Sequence, residues 1–253
     1  MEYVTDDRAL QVLRKFRESK ITLVEWETPL LKRLGYPLAP EADLLFLIPD
    51  EQIKNARHIT EAAGLRNDDG PPSYMAEHVQ KSCRYVYGES RHKFVLLPIS
   101  WTGIQQKELV AVKSPTLPCP LWTVPVPAFC AAYLRILMQE DVGSTICFMA
   151  KADLASVLGY SMFDMSYEGD YMSMPEDEEN LDVGESQKMA EKDALEMANA
   201  LSSIKQWKFT KETEWARQMV LNLVSGKLSY DDLRTKGRSS LPFRPLAENT
   251  LQK

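Results

Sequence analysis

A chain of 253 residues, 44% hydrophobic and 26% charged, is long enough for one large or two small domains and has ordinary globular chemistry. A net charge of −6 argues against a surface that grips nucleic acid or anionic lipid throughout, so extensive nucleic-acid binding is not expected. The opening MEYVTDDRALQ lacks the blocks of a signal peptide, and no apolar run approaches the roughly 20 residues that span a bilayer. The expectation is an intracellular, cytoplasmic or nuclear protein with no membrane partner. Cys83, Cys119, Cys130 and Cys147 are widely spaced, form no CxxC pair, and read as buried thiols rather than a zinc site or a disulfide framework.

Taken in chain order, Thr5 is a candidate N-cap for a helix over 6–18 whose apolar face is Ala9, Val12, Leu13 and Phe16. ITLVEW (21–26) reads as a strand. TPLLKRLG then gives a short helix with Thr28 as cap, Pro29 at its start and Gly35 as its stop. DLLFLI is a buried strand, and Asp50 caps a helix running over 50–63 to Gly64. A polar RNDDGPPS turn and a helix from Glu77 to Lys81 precede three short strands in CRYVYG, KFVLLPIS and ELVAV, so the sheet is mixed. VPVPAFCAAYLRILMQED and TICFMAKADLASVLG are two apolar helices, with Pro125 and Pro127 at or before the first turn.

From Glu168 to Gln187 there are eight acids and no lysine or arginine, the composition of a solvated linker drawn here over 166–187. Two helices follow within 188–235, and a basic, proline-containing tail over 236–253 is expected to be poorly ordered. The first 165 residues form the α/β domain, a mixed sheet flanked by helices, and the last part is a helical C-terminal extension.

PEADLLFLIPDEQI raises the question of chemistry, because Glu41 and Asp43 stand at the mouth of a buried strand. Ionised groups leave water at a cost unless cations or donors meet them. Two apart on a strand, these acids would share a face, as joint metal ligation requires. Either they hold a divalent ion or they mark the wet end of the strand. Lys151 and Asp153 in MAKADLASV are a second candidate, set against a solvated helix pair. His58, His78 and His92 show no ligand spacing, and Trp101 and Trp122 read as rim packing. Without GxGxxG, a phosphate loop or GxSxG, there is no local support for a dinucleotide oxidoreductase, a kinase-like ATPase or a serine hydrolase.

The order of helix, strand, short helix ending in glycine, acid-x-acid strand, proline and helix ending in AGL resembles the minimal nucleotidyltransferase superfamily, including the nucleotidyltransferases of abortive-infection toxin systems. VEWETPLLKRLGYPLAPEADLLFLIPDEQI, WTVPVPAFCAAYL and MAKADLASVLGY carry the resemblance, over roughly residues 5–165. It implies a nucleotidyltransferase-like sheet on which Glu41 and Asp43 are catalytic metal ligands for magnesium or manganese and Lys151 contacts the nucleotide. The metal would bridge the phosphates of a nucleoside triphosphate and activate the acceptor oxygen. The chain departs from the family pattern in three places. Val95 stands where a third acid is expected, Glu25 and Trp26 replace a Gly-Gly or Gly-Ser turn that would approach phosphate, and Leu38 occupies a frequent arginine position.

The implied function is therefore a nucleotidyltransferase-fold protein with an eroded active site, acting as a nucleotide- or protein-binding module. The alternative is a working magnesium-dependent enzyme that transfers a nucleoside monophosphate from a triphosphate, with Glu25 or Glu27 as third acid. A third class is a structural or interaction protein that meets a protein partner through the C-terminal helices.

Overall fold

The computed structural model describes residues 6–39, 42–113, 117–165 and 183–233. Helix α1 (Asp7–Glu18) buries Ala9, Val12, Leu13 and Phe16, the stripe expected from their spacing. Its cap is Asp6 rather than Thr5. The Asp6 carboxylate accepts from the amides of Arg8 and Ala9 and also from Gly88 N, fastening the helix start to a distant turn.

The expected strand over 21–26 shortens to β1 (Val24–Glu25). Ile21 N closes the end of α1 by donating to Phe16 O, and Thr22 N is taken by the Gln52 side chain, so only the last part of the stretch joins the ladder. Helix α2 (Thr28–Arg33) follows with Pro29 in its first turn, and Glu27 rather than Thr28 is its cap residue. Gly35, at φ +101°, makes the stop that other residues disfavour. Strand β2 (Leu44–Ile48) is buried throughout. Helix α3 (Asp50–Ala62) has Pro49 as its cap residue, while the Asp50 carboxylate accepts from the amide and hydroxyl of Ser100.

Strand β3 (Arg66–Asn67) lies in the stretch read as a polar turn. The helix expected from Glu77 to Lys81 is instead a 3-10 helix, Met75–His78. The Glu77 carboxylate folds back to accept from the Ser73 and Tyr74 amides, which winds this turn tightly. Strands β4 (Cys83–Tyr87) and β5 (His92–Pro98) form a hairpin, and β6 (Val110–Val112) pairs antiparallel with β7 (Leu121–Thr123).

The seven strands form one mixed sheet in the order β3-β4-β5-β2-β1-β7-β6. β2 lies parallel to β5 with Leu45 opposite Val95, antiparallel to β1, and β1 runs parallel to β7. Strand alternation splits the apolar side chains between two faces. Leu44, Phe46, Ile48, Phe94 and Leu96 share one buried cluster with the stripe of α1 and with Ala56 and Ile59 of α3. Leu45, Leu47, Val95 and Leu97 face the other way and are also buried.

Helix α4 (Val126–Gln139), with Pro125 as cap residue and Pro127 in its first turn, is buried over most of its length. Helix α5 (Thr145–Met162) follows. The chain divides into two compact units, Met1–Asp153 and Leu154–Lys253, the division falling within α5. In the second unit α6 (Val183–Gln206) and α7 (Glu214–Val224) pack against each other. Arg217 donates to the carbonyls of Ile204 and Lys205 at the end of α6, and its guanidinium lies 5.0 Å from the Phe209 ring centroid. α6 begins at Val183, so the last five residues of the expected linker are helical; residues 166–182 and the tail over 236–253 lie outside the described residues. No helix among the described residues is long and apolar enough to cross a membrane.

Phe94 is fully buried among the rings of Phe16, Phe46 and Tyr87. Phe94→Ala should lower stability by about 3–5 kcal/mol, read from urea unfolding, with loss of a ring and a residual cavity contributing together.

Candidate functional site: a network of committed carboxylates

Asp43 lies one residue before β2 begins, and both of its oxygens are engaged. Oδ1 accepts from Lys93 N at 2.7 Å and Oδ2 accepts from the Tyr74 hydroxyl. His92 Nδ1 stands 3.6 Å from Oδ1. Glu41 lies outside the described residues. Val95 is buried on β5 and pairs in register with Leu45 on one side and Arg84 on the other. Where the resemblance asks for a third acid, the strand thus carries a buried valine.

Arg84 and Lys93 organise the next layer. Arg84 donates from Nη2 to Asp68 Oδ2 at 3.1 Å and to Gly70 O at 2.6 Å, and from Nε to Glu77 Oε1 at 3.2 Å. The Lys93 ammonium also bonds Asp68 and lies 3.4 Å from Glu77 Oε1. The side chains of Asp68 and Glu77 are 1% and 0% exposed. Burial would raise the Asp68 carboxyl, but the Lys93 hydrogen bond, the Gly70 amide and the charges of Lys93 and Arg84 outweigh it and hold it at about 2. Half-buried Arg84 and Lys93 thus satisfy the buried Asp68 and Glu77, and the exposed Arg91 adds a longer contact of 3.5 Å to Asp68.

A second group surrounds the β1–α2 turn. Glu25 is fully buried and its carboxylate receives two bonds from Arg33, from Nε and from Nη2, the latter at 3.0 Å. Trp26 is buried, 5.3 Å from the Tyr133 ring and 6.2 Å from that of Trp101 between centroids. At this turn the charge is neutralised by Arg33 and the indole is packed inside. The strained position is one residue later. Glu27 has φ 49° and ψ −127°, a backbone conformation that glycine adopts freely and that costs other residues about 1–3 kcal/mol.

The Glu27 side chain is aimed at the 3-10 helix, where Oε2 accepts from Met75 N at 3.0 Å and Oε1 from Ala76 N at 2.6 Å. Burial pushes the Glu27 carboxyl up to about 8, against the pull of those two amides and with the charges of Asp153 and Glu77 adding to the rise. Asp153, half-buried on α5, accepts from the fully buried Tyr133 hydroxyl at 3.1 Å. Burial raises Asp153 to about 6 and keeps Tyr133 well above the ordinary phenol range. Lys151 is half-buried on the same helix.

Tested against a divalent ion, this donor set does not fit. Magnesium needs several free oxygens in near-octahedral array, whereas the oxygens of Asp43, Glu25 and Glu27 already accept hydrogen bonds from protein groups. Among the described residues no three His, Cys, Asp or Glu side chains are placed to hold a metal ion. Sequence reading missed Tyr74, Asp68, Glu77, Arg84, Lys93 and Arg33. The available signal was a charge inside each strand of the CRYVYG and HKFVLLP text, since a cation on a buried strand requires an acid opposite it.

No family model matches the chain, and no curated protein matches it. Among solved structures it is similar to JHP933 from Helicobacter pylori, with 13% sequence identity, 92% of this chain and 93% of that chain covered, and a TM-score of 0.32.

Removing one partner of a buried ionic group costs about 3–5 kcal/mol. Arg84→Met should fall at the low end, roughly 3 kcal/mol in urea unfolding, because Lys93 still faces both acids. The two perturbed acids act on opposite limbs of a stability-against-pH curve. Asp68, lowered on folding, contributes stability that is complete above about pH 4 and lost as pH falls through about 2. Glu27, raised on folding, contributes stability that is complete below about pH 4.5 and lost as pH rises through about 8. Melting temperatures should therefore decline from pH 6 to pH 9, and Glu27→Gln should flatten that decline.

Proposed function

We propose that the chain is a binding module built on a nucleotidyltransferase-like sheet, taking a nucleotide or a protein partner, and not a fast transferase. The observation that carries this reading is the double engagement of Asp43 by the Tyr74 hydroxyl and the Lys93 amide. A metal-dependent transferase needs carboxylate oxygens that point at the ion and at substrate phosphates, and here the acid at the head of β2 is spent on the 3-10 segment and on β5. Glu25 and Glu27, the substitutes for a third acid, serve Arg33 and two backbone amides. Eroded chemistry leaves the scaffold free to bind.

Support for a nucleotide as occupant comes from a polar cleft of about 280 Å³ bounded by Arg57, Asn67, Arg84 and Tyr85 among others. Its volume is close to the lower end of small-ligand sites; Glu61 and Asp68 also line it, Arg57 bonds Glu61 and Arg84 bonds Asp68 and Glu77, so a phosphate would bind there by displacing those acids. The protein-partner reading rests on α6, whose described residues from Gln187 to Leu195 are exposed, with Leu195 62% exposed.

A thermal-shift panel of nucleoside triphosphates, with and without magnesium or manganese, separates the occupants. A nucleotide bound by the native state at a hundredfold excess over its Kd contributes about 2.7 kcal/mol and raises the melting temperature; no shift with any triphosphate favours the protein partner. Transfer from α-labelled triphosphates should not rise above the protein-free control. Robust transfer by the wild type that Asp43→Asn abolishes would overturn the proposal in favour of a magnesium-dependent nucleotidyltransferase.

A further inference from the structure

The cleft between α3 and the strands β3 and β4 carries both signs of charge. Arg57 and Arg84 line it together with Glu61 and Asp68, so its ionised side chains balance. The inner pair is closed, because the Asp68 carboxylate is taken by Arg84, by Lys93 and by the Gly70 amide. The outer pair is not. Arg57 donates from Nε to Glu61 Oε1 at 2.7 Å, and the Tyr85 hydroxyl reaches the same oxygen at 3.5 Å. Among the described residues these bonds leave both Nη groups of Arg57 and Oε2 of Glu61 unspent. With side chains 61% and 41% exposed, the pair offers a guanidinium and a carboxylate side by side to whatever enters from water. Asn67 and Ser82 add an amide and a hydroxyl to the lining, and half-buried Cys83 and buried Tyr85 add apolar surface.

We propose that this cleft binds a small zwitterion, a molecule that carries an ammonium and an anionic group a few bonds apart. A lone phosphate at Arg57 faces the Glu61 carboxylate with nothing to neutralise it, and a lone ammonium at Glu61 faces the Arg57 guanidinium in the same way. A zwitterion meets both. Its anionic group takes the Arg57 Nη donors, its ammonium donates to Glu61 Oε2, and the bond between the two side chains stays in place. The carbon atoms that join the two charges lie against Cys83 and Tyr85. A carboxylate and a phosphate satisfy the same donors, so an amino acid and an aminoalkyl phosphate belong to one ligand class. This names the ligand of the cleft cited for the nucleotide, and it rests on that reading only in taking the cleft as a binding site.

Amide NMR titrations of the full chain with glycine and with phosphoethanolamine, read at Asn67 and Ser82, test this beside inorganic phosphate and ethylamine, which carry one sign of charge each. At least one zwitterion should bind about tenfold more tightly than either single charge. Glu61→Gln should weaken the zwitterion about tenfold while phosphate binds equally or more tightly, since the repelling charge is gone. Arg57→Met should weaken both. Phosphate that binds as tightly as both zwitterions overturns the proposal, as does zwitterion binding that Glu61→Gln leaves unchanged, or no response at Asn67 and Ser82 to either zwitterion. The nucleotide reading fails separately: a triphosphate shift in melting temperature that survives Arg57→Met keeps it when the zwitterion does not bind. Zwitterion binding without any triphosphate shift keeps the present proposal alone.

Discussion

A carboxylate taken out of water has to be met by a cation or by several donors, and this one constraint organises the sheet-bearing unit. Glu25, Glu27, Asp68 and Glu77 are all buried. Each is answered from a different element: Arg33 of α2 for Glu25, the amides of the 3-10 helix for Glu27, and Arg84 of β4 with Lys93 of β5 for Asp68 and Glu77. The ties of Glu27, Asp68 and Glu77 fasten the segment between α3 and β4 onto the sheet, and that of Glu25 joins β1 to α2. Replacing such a set by apolar residues is often neutral in stability, but removing a single member is not. Loss of one member therefore costs stability, less so where a second cation still faces the acids, as Lys93 does for Asp68 and Glu77.

That same commitment bears on chemistry. A carboxylate whose oxygens accept from protein donors must surrender those bonds before it can ligate an ion, and the donors it leaves are then unsatisfied. Asp43 would have to release both the Tyr74 hydroxyl and the Lys93 amide. At the Glu27 turn the backbone conformation is one that suits glycine, yet the side chain that occupies it ties down two amides.

Helices with a clear apolar stripe were legible from the chain alone. The spacing of Ala9, Val12, Leu13 and Phe16 located α1 and its buried face, and the continuous apolar run of DLLFLI located β2. The strands β3 and β7 were not legible, because they are too short to show a period and owe their state to neighbours distant in sequence. The turn at Met75–His78 escaped for a related reason, since Glu77 bonds backward and across to Arg84 instead of continuing a helix. Asp43 was found by its position before an apolar run, but its partners were not, as neither Tyr74 nor the Lys93 amide is near it in sequence. Glu27 was weighed only as a substitute ligand; its role as a buried, strained anchor depends on a fold that brings residues 27 and 75–76 together.

Manganese titration followed by amide NMR tests the central claim, that Asp43 at the head of β2 is committed to internal partners. A bound paramagnetic ion broadens the signals of nearby amides. With one equivalent of manganese, the Tyr74 and Lys93 amides should keep their intensity relative to those of α1. Selective broadening of these two signals at substoichiometric manganese, removed by Asp43→Asn, would contradict the account and return Asp43 to the role of a metal ligand.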